Sequence, residues 1–123
     1  AGGFCNDIQT REKIGHAWRD HRYLIDTHTA VAYHVLDDYR SETGDATPPV
    51  VVSTASPFKF CDQVLRGIGG TADAFGPALI RRLSCETQID APAPLTGLDA
   101  RPVRFGGCVD KAQMLHTVDE FLK

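Results

Sequence analysis

The sequence predicts an α/β chain that is predominantly helical, with four to five helices and one buried strand at about residues 50–54. Three observations carry this expectation. Apolar residues recur at i, i+3 and i+4 behind cap-forming residues in several segments. Three valines stand in an unbroken row at 50–52, as in a strand covered on both faces. Glycine and proline clusters punctuate the stretches between. With 123 residues, 42% hydrophobic and 24% charged, the chain has ordinary globular composition and room for one domain.

The elements follow in order. Asn6 or Asp7 can cap a first helix over about 7–20, with Gln9 as capping-box partner and Ile14, Ala17 and Trp18 on one face. A second helix starts at Asp26 or Thr27 and stops at Gly44, with Ala32, Val35, Leu36 and Tyr39 as its apolar stripe. Pro48 and Pro49 end helical geometry before the valines, and Ser53 and Thr54 close the strand. Ser56 then caps a helix with Pro57 at its first position, and Phe60, Val64, Leu65 and Ile68 form its buried side. Phe75, Leu79 and Leu83 mark a fourth helix, and a proline-rich connection follows it. "PVRFGG" is a short strand or simply extended, and a last amphipathic helix starts at Asp110 with Met114, Leu115, Val118, Phe121 and Leu122 on its apolar face. One strand and one doubtful one cannot make a parallel sheet. The partners of 50–54 are therefore expected outside this chain.

Several function classes lose support early. A net charge of −3 gives no footprint for a nucleic-acid binder. The longest uncharged run, Ala46 to Phe58, has 13 residues and three prolines, too short to span a bilayer as a helix. Asp7, Glu12, Asp20 and Asp26 interrupt the first 30 residues, which argues against a secretory signal there. Cys5, Cys61, Cys85 and Cys108 are scattered with no CxxC pair, the pattern of reduced thiols, so a cytoplasmic location is expected. His28 and His34, six apart on one helix, point away from each other, and no metal site is expected. No nucleophile elbow is present.

The best site candidate is the junction at 53–59. Ligands of open α/β sheets sit beyond the strand ends beside helix N-termini. Ser53, Thr54, Ser56 and Lys59 gather at such a point. On spacing alone, Ser56 is a cap and Lys59 a solvated first-turn residue. Arg81, Arg82, Arg101 and Arg104 could form a phosphate clamp, although an arginine pair on a helix is usually a wet face.

The strings "YLIDTHTAVAYHVLDDYRSETGD" and "PVVVSTASPFKF", in this order, resemble the C-terminal part of threonine synthase, and "RPVRFGGCVDKAQM" is similar to that enzyme's close. The resemblance runs from about residue 23 to 114. It implies a C-terminal piece of a pyridoxal-phosphate enzyme of fold type II, the tryptophan-synthase-β group, with residues 1–123 as a single fragment of the catalytic region. The intact enzymes convert O-phospho-L-homoserine and water to L-threonine and phosphate. By this resemblance Thr54 hydrogen-bonds the pyridine nitrogen of the cofactor, Ser53 lies beside it, and Lys59 is a weaker candidate for contacting substrate phosphate. A neutral hydroxyl there donates to an unprotonated ring nitrogen, whereas a carboxylate would keep the ring protonated.

Two positions depart from the family pattern: Thr27 stands where relatives usually carry proline, and Ser56 where many carry histidine. None of Lys13, Lys59, Lys111 and Lys123 sits in the family's cofactor-binding lysine motif. No catalytic residue is therefore expected in this fragment, which should be inactive alone. Two other readings compete: a non-catalytic helical module that self-associates or binds a protein partner, and a phosphate-ester binder using Thr54, Lys59 and the arginines. Self-association through normally covered surfaces is expected under either the fragment or the module.

Overall fold

A computed structural model of the chain describes residues 2–104 and 106–123. Among these residues the fold is helical: α1 (Asp7–His21), α2 (Thr27–Thr43), α3 (Cys61–Gly67), α4 (Pro77–Thr87) and α5 (Met114–Phe121), with short 3₁₀ turns at Pro57–Lys59, Leu98–Ala100 and Lys111–Gln113. α1 packs on α2 and α3, and α3 on α4.

The local reasons match the sequence reading at most helix ends. The Asn6 side chain accepts from the backbone of Ile8 and Gln9 while Gln9 reaches back to the Asn6 amide, so the capping box forms. Gly44 ends α2 at φ 69°, the left-handed region that glycine enters without a Cβ penalty. Ser56 accepts from Phe58 N–H, but the turn it caps lasts only Pro57–Lys59, and α3 begins separately at Cys61. Phe75 stays 91% exposed ahead of α4, which starts at Pro77.

The core joins Ile14 and Ala17 of α1, Leu24, Ile25 and Ala30 around the start of α2, Phe58, Val64 and Leu65 near α3, and Leu79 and Leu83 of α4. The α1–α3 crossing is close because both helices present glycine. A Cβ on Gly67 would lie 2.9 Å from Ile14 Cβ and 3.0 Å from the Arg11 carbonyl oxygen, and one on Gly15 would lie 2.6 Å from the Gly67 carbonyl oxygen.

One expectation needs outright correction. The buried strand at 50–54 is not observed: among the described residues no strand forms, and Val50 and Val52 are 89% and 69% exposed. The physical reason lies in the chain itself, because a strand needs a neighbour to take its N–H and C=O groups and no second strand is available here. Of the two readings of "PVRFGG", a strand does not form in its described residues; Phe105 lies outside them. The expected stripe of α2 is also not its buried side. Thr29 and Ala30 are buried, Val35 and Leu36 half-buried, and Ala32 and Tyr39 exposed. α5 has the expected amphipathic pattern, yet Met114, Leu115, Val118, Phe121 and Leu122 are all exposed. No helix among the described residues is long and apolar enough to cross a membrane.

Candidate functional site

The site is built where the N-terminus of α2 meets the extended segment 49–55. Asp26 is the N-cap of α2 and is completely buried. Its Oδ1 accepts from the His28 backbone N–H and meets the His28 ring Nδ1, each at 2.9 Å. Its Oδ2 meets the hydroxyl of Thr29, itself only 6% exposed. Burial pushes the Asp26 carboxyl up, but hydrogen bonds from Thr29 and His28 side chains and both backbone amides outweigh it, holding the group below its ordinary value of 3.8. Asp26 is thus an ionised, fully engaged carboxylate inside the protein.

Two arms leave this carboxylate. One is the His28 ring, whose Nδ1 faces Asp26 while the rest of the side chain is 61% exposed and stands edge-on to Phe60 at 4.9 Å. Nδ1 is thereby engaged by the carboxylate, and Nε2 is the other ring nitrogen. His28 borders a cleft of about 350 Å³ that Thr10, Phe60 and Gln63 also line. The other arm runs from Thr29 Oγ1 to Ser53 Oγ, 3.0 Å away. Thr54 follows on the chain, exposed, and its hydroxyl has no partner among the described residues.

The residues singled out in the sequence are only partly brought together. Ser53 and Thr54 lie at the end of the Asp26–Thr29 arm. Lys59 is exposed in the turn beyond Ser56 and borders a different cleft, of about 570 Å³, with Phe58, Asp62 and Arg66. Ser56 is a cap, as its spacing implied. Of the four arginines, Arg81 pairs with Asp99, and Arg82 with Glu86 at 3.0 Å and Asp73 at 3.6 Å. Asp26, His28 and Thr29 form the polar centre that spacing alone did not identify. Their signal was the D-x-H-T run at a helix start, where the carboxylate that caps α2 also reaches the third residue's hydroxyl.

An open apolar groove of about 800 Å³ flanks the same segment, lined by Phe4, Val35, Leu36, Tyr39 and Val50–Val52. Within 49–55, the valines thus line an open groove while Ser53 reaches the Asp26–Thr29 arm.

Comparison with known proteins gives this geometry a context. A stretch of 46 residues is 46% identical to the threonine synthase of Corynebacterium glutamicum, covering 37% of this chain and 9% of that enzyme. The chain thus spans a small part of the curated relative it matches. A family model described as "Threonine synthase, C-terminal" matches residues 29–120, which includes Thr29, Ser53, Thr54 and Lys59. On that match, which extends over most of the sequence, the chain belongs to the threonine synthase C-terminal family.

Proposed function

We propose that residues 1–123 act as a single C-terminal part of a threonine synthase, which converts O-phospho-L-homoserine and water to L-threonine and phosphate with pyridoxal phosphate. The observation that carries this reading is the exposed Thr54 hydroxyl, without a partner among the described residues, next to a serine tethered to a buried carboxylate. Such a hydroxyl suits one edge of the cofactor: it can donate to the pyridine nitrogen and leave the ring neutral. When bound, the cofactor supplies the electron sink for bond changes in the substrate. This chain would supply the ring-edge donor at Thr54, the neighbouring Ser53, and Lys59 as a cation for substrate phosphate.

The exposed valines at 50–52, whose backbone has no hydrogen bond among the described residues, support the same reading, since they form a surface that the rest of an intact enzyme would cover. The chain alone is proposed to be inactive. Lys13 is paired with Asp37, Lys123 with Glu120, and neither Lys59 nor Lys111 stands in the cofactor-binding motif of the family.

The test grafts residues 26–120, the matched stretch extended to include Asp26, in place of the corresponding stretch of the Corynebacterium glutamicum enzyme. The graft is expected to release phosphate from O-phospho-L-homoserine. Thr54→Val should shift the cofactor's absorption band and lower kcat by about tenfold, the worth of one hydrogen bond of about 1.4 kcal/mol, and Thr54→Ser should restore both. Unchanged activity and spectrum in Thr54→Val would overturn the assignment. The 123-residue chain itself, mixed with pyridoxal phosphate, treated with borohydride and mapped by peptide, should show no single modified lysine.

A second reading, a self-associating helical module, draws on the exposed apolar side of α5. It predicts that the chain sediments as a stable dimer that Leu115→Asp and Phe121→Asp together dissociate.

A further inference from the structure

We propose that Asp26, acting through Thr29, is the positioning group that holds Ser53 and thereby aims Thr54; the aim toward a cofactor ring rests on the reading of Thr54 given above.

The first support is how little else holds the segment. Among the described residues, 48–55 makes one hydrogen bond to the rest of the chain, the Thr29–Ser53 hydroxyl pair at 3.0 Å. The neighbouring anchors lie outside it, at the Thr47 carbonyl, which accepts from Arg40 at 2.8 Å, and at Ser56, which caps the next turn. The anchoring hydroxyl belongs to the first turn of α2, against the core, and is almost fully buried.

The second support is a count of protons. Thr29 has one hydroxyl proton and two neighbours, the Asp26 carboxylate and Ser53. An ionised carboxylate only accepts, so the Thr29 proton goes to Asp26, and Ser53 must donate its own proton to Thr29. Ser53 is then left with lone pairs alone. Thr54 keeps its proton. Of two adjacent hydroxyls on an exposed segment, the buried charge therefore selects which one can donate to a ligand. By this count Ser53 is a positioning residue, and Thr54 is the donor.

The experiment has two arms. In the isotope-labelled 123-residue chain, the heteronuclear NOE of residues 52–55 is measured for the parent, Thr29→Val, Thr29→Ser and Ser53→Ala. Ser53→Ala removes the tether without touching the α2 cap, so it remains informative if Thr29→Val disturbs the helix. The expected result is a loss of NOE at 53 and 54 in Thr29→Val and Ser53→Ala, with Thr29→Ser like the parent. Unchanged values in both deletions overturn the proposal. In the grafted enzyme, Thr29→Val should shift the cofactor band in the same direction as Thr54→Val, and Thr29→Ser should restore it. If Thr54→Val shifts the band but Thr29→Val and Ser53→Ala do not, the positioning proposal fails while the cofactor reading stands. If the NOE falls as expected but Thr54→Val leaves the band unmoved, the tether is upheld and the cofactor reading is what fails.

Discussion

Removing the Asp26 carboxylate should weaken the fold and flatten its acid response. Asp26→Ala deletes the N-cap of α2, a loss of about 0.5–2 kcal/mol in comparable helices. It also deletes hydrogen bonds from His28 and Thr29 to a charged acceptor, each worth about 1.5–3 kcal/mol, though the Thr29 hydroxyl can still turn to Ser53. These contributions overlap, so a total of about 2–4 kcal/mol is expected. Asp26→Asn keeps a good cap and should fall between the parent and the alanine variant. The pH dependence separates charge from shape. The folded carboxyl titrates below its ordinary value of 3.8, so its stabilisation is fully present above that value and is lost as pH falls through the folded pKa. The stability gap between parent and Asp26→Asn should accordingly be constant above about pH 5 and close in stronger acid. Urea denaturation from pH 2.5 to 7, followed by circular dichroism, measures it. Asp26→Ala as stable as the parent, or a gap that persists unchanged into acid, would refute the reasoning.

Two further outcomes test the scaffold. Gly67→Ala should destabilise by about 1–3 kcal/mol as judged by urea titration, because its methyl would press on Ile14 and the Arg11 carbonyl; helix propensity alone predicts a gain of up to about 1 kcal/mol, so the sign decides. Cys61 is buried, donates to the Phe58 carbonyl at 3.1 Å, and burial with the nearby Asp62 pushes its thiol up to about 11. At pH 8 the native chain should therefore show fast reaction of an aromatic disulfide with exposed Cys85 and Cys108 but not with Cys61, and fast labelling of Cys61 would contradict the packing.

What the sequence disclosed depended on the range of the interaction. Capping is settled within four residues, so Asn6–Gln9, Asp26 and Gly44 were legible, and so was Ser56 as a cap. The valine row disclosed an apolar surface but not its state, because strand formation depends on a partner that the row itself does not contain. The α2 stripe is legible as a face but not in its covering, for a related reason. Periodicity identifies an apolar face, but whether Val35, Leu36 and Tyr39 are covered depends on what lies opposite, and here that is an open groove beside Val50–Val52. At the site, Thr54 and Ser53 came from resemblance and local chemistry, whereas their link to Asp26 through Thr29 crosses 24 residues and leaves no periodic trace.

The chain thus divides its own support unevenly, and the division bears on how a site at Thr54 can work. α1 to α4 bury their apolar contacts among themselves, while 49–55 and α5 keep theirs open. A hydroxyl on an open segment would sample many directions, and each frozen backbone residue costs about 1–2 kcal/mol in conformational entropy. A single surface hydrogen bond would not offset that, since exposed pairs exchange readily with water. The Thr29–Ser53 bond differs because its far side is buried and ends on a carboxylate that is already fully coordinated, so releasing Ser53 would cost Thr29 its acceptor role without freeing any other donor. On the proposed role of Thr54, its precision would be borrowed from the helix cap rather than from a sheet. A core substitution remote from Asp26, such as Leu83→Ala, should lower global stability by about 2–5 kcal/mol and yet leave the order of residues 53 and 54 unchanged in the molecules that remain folded.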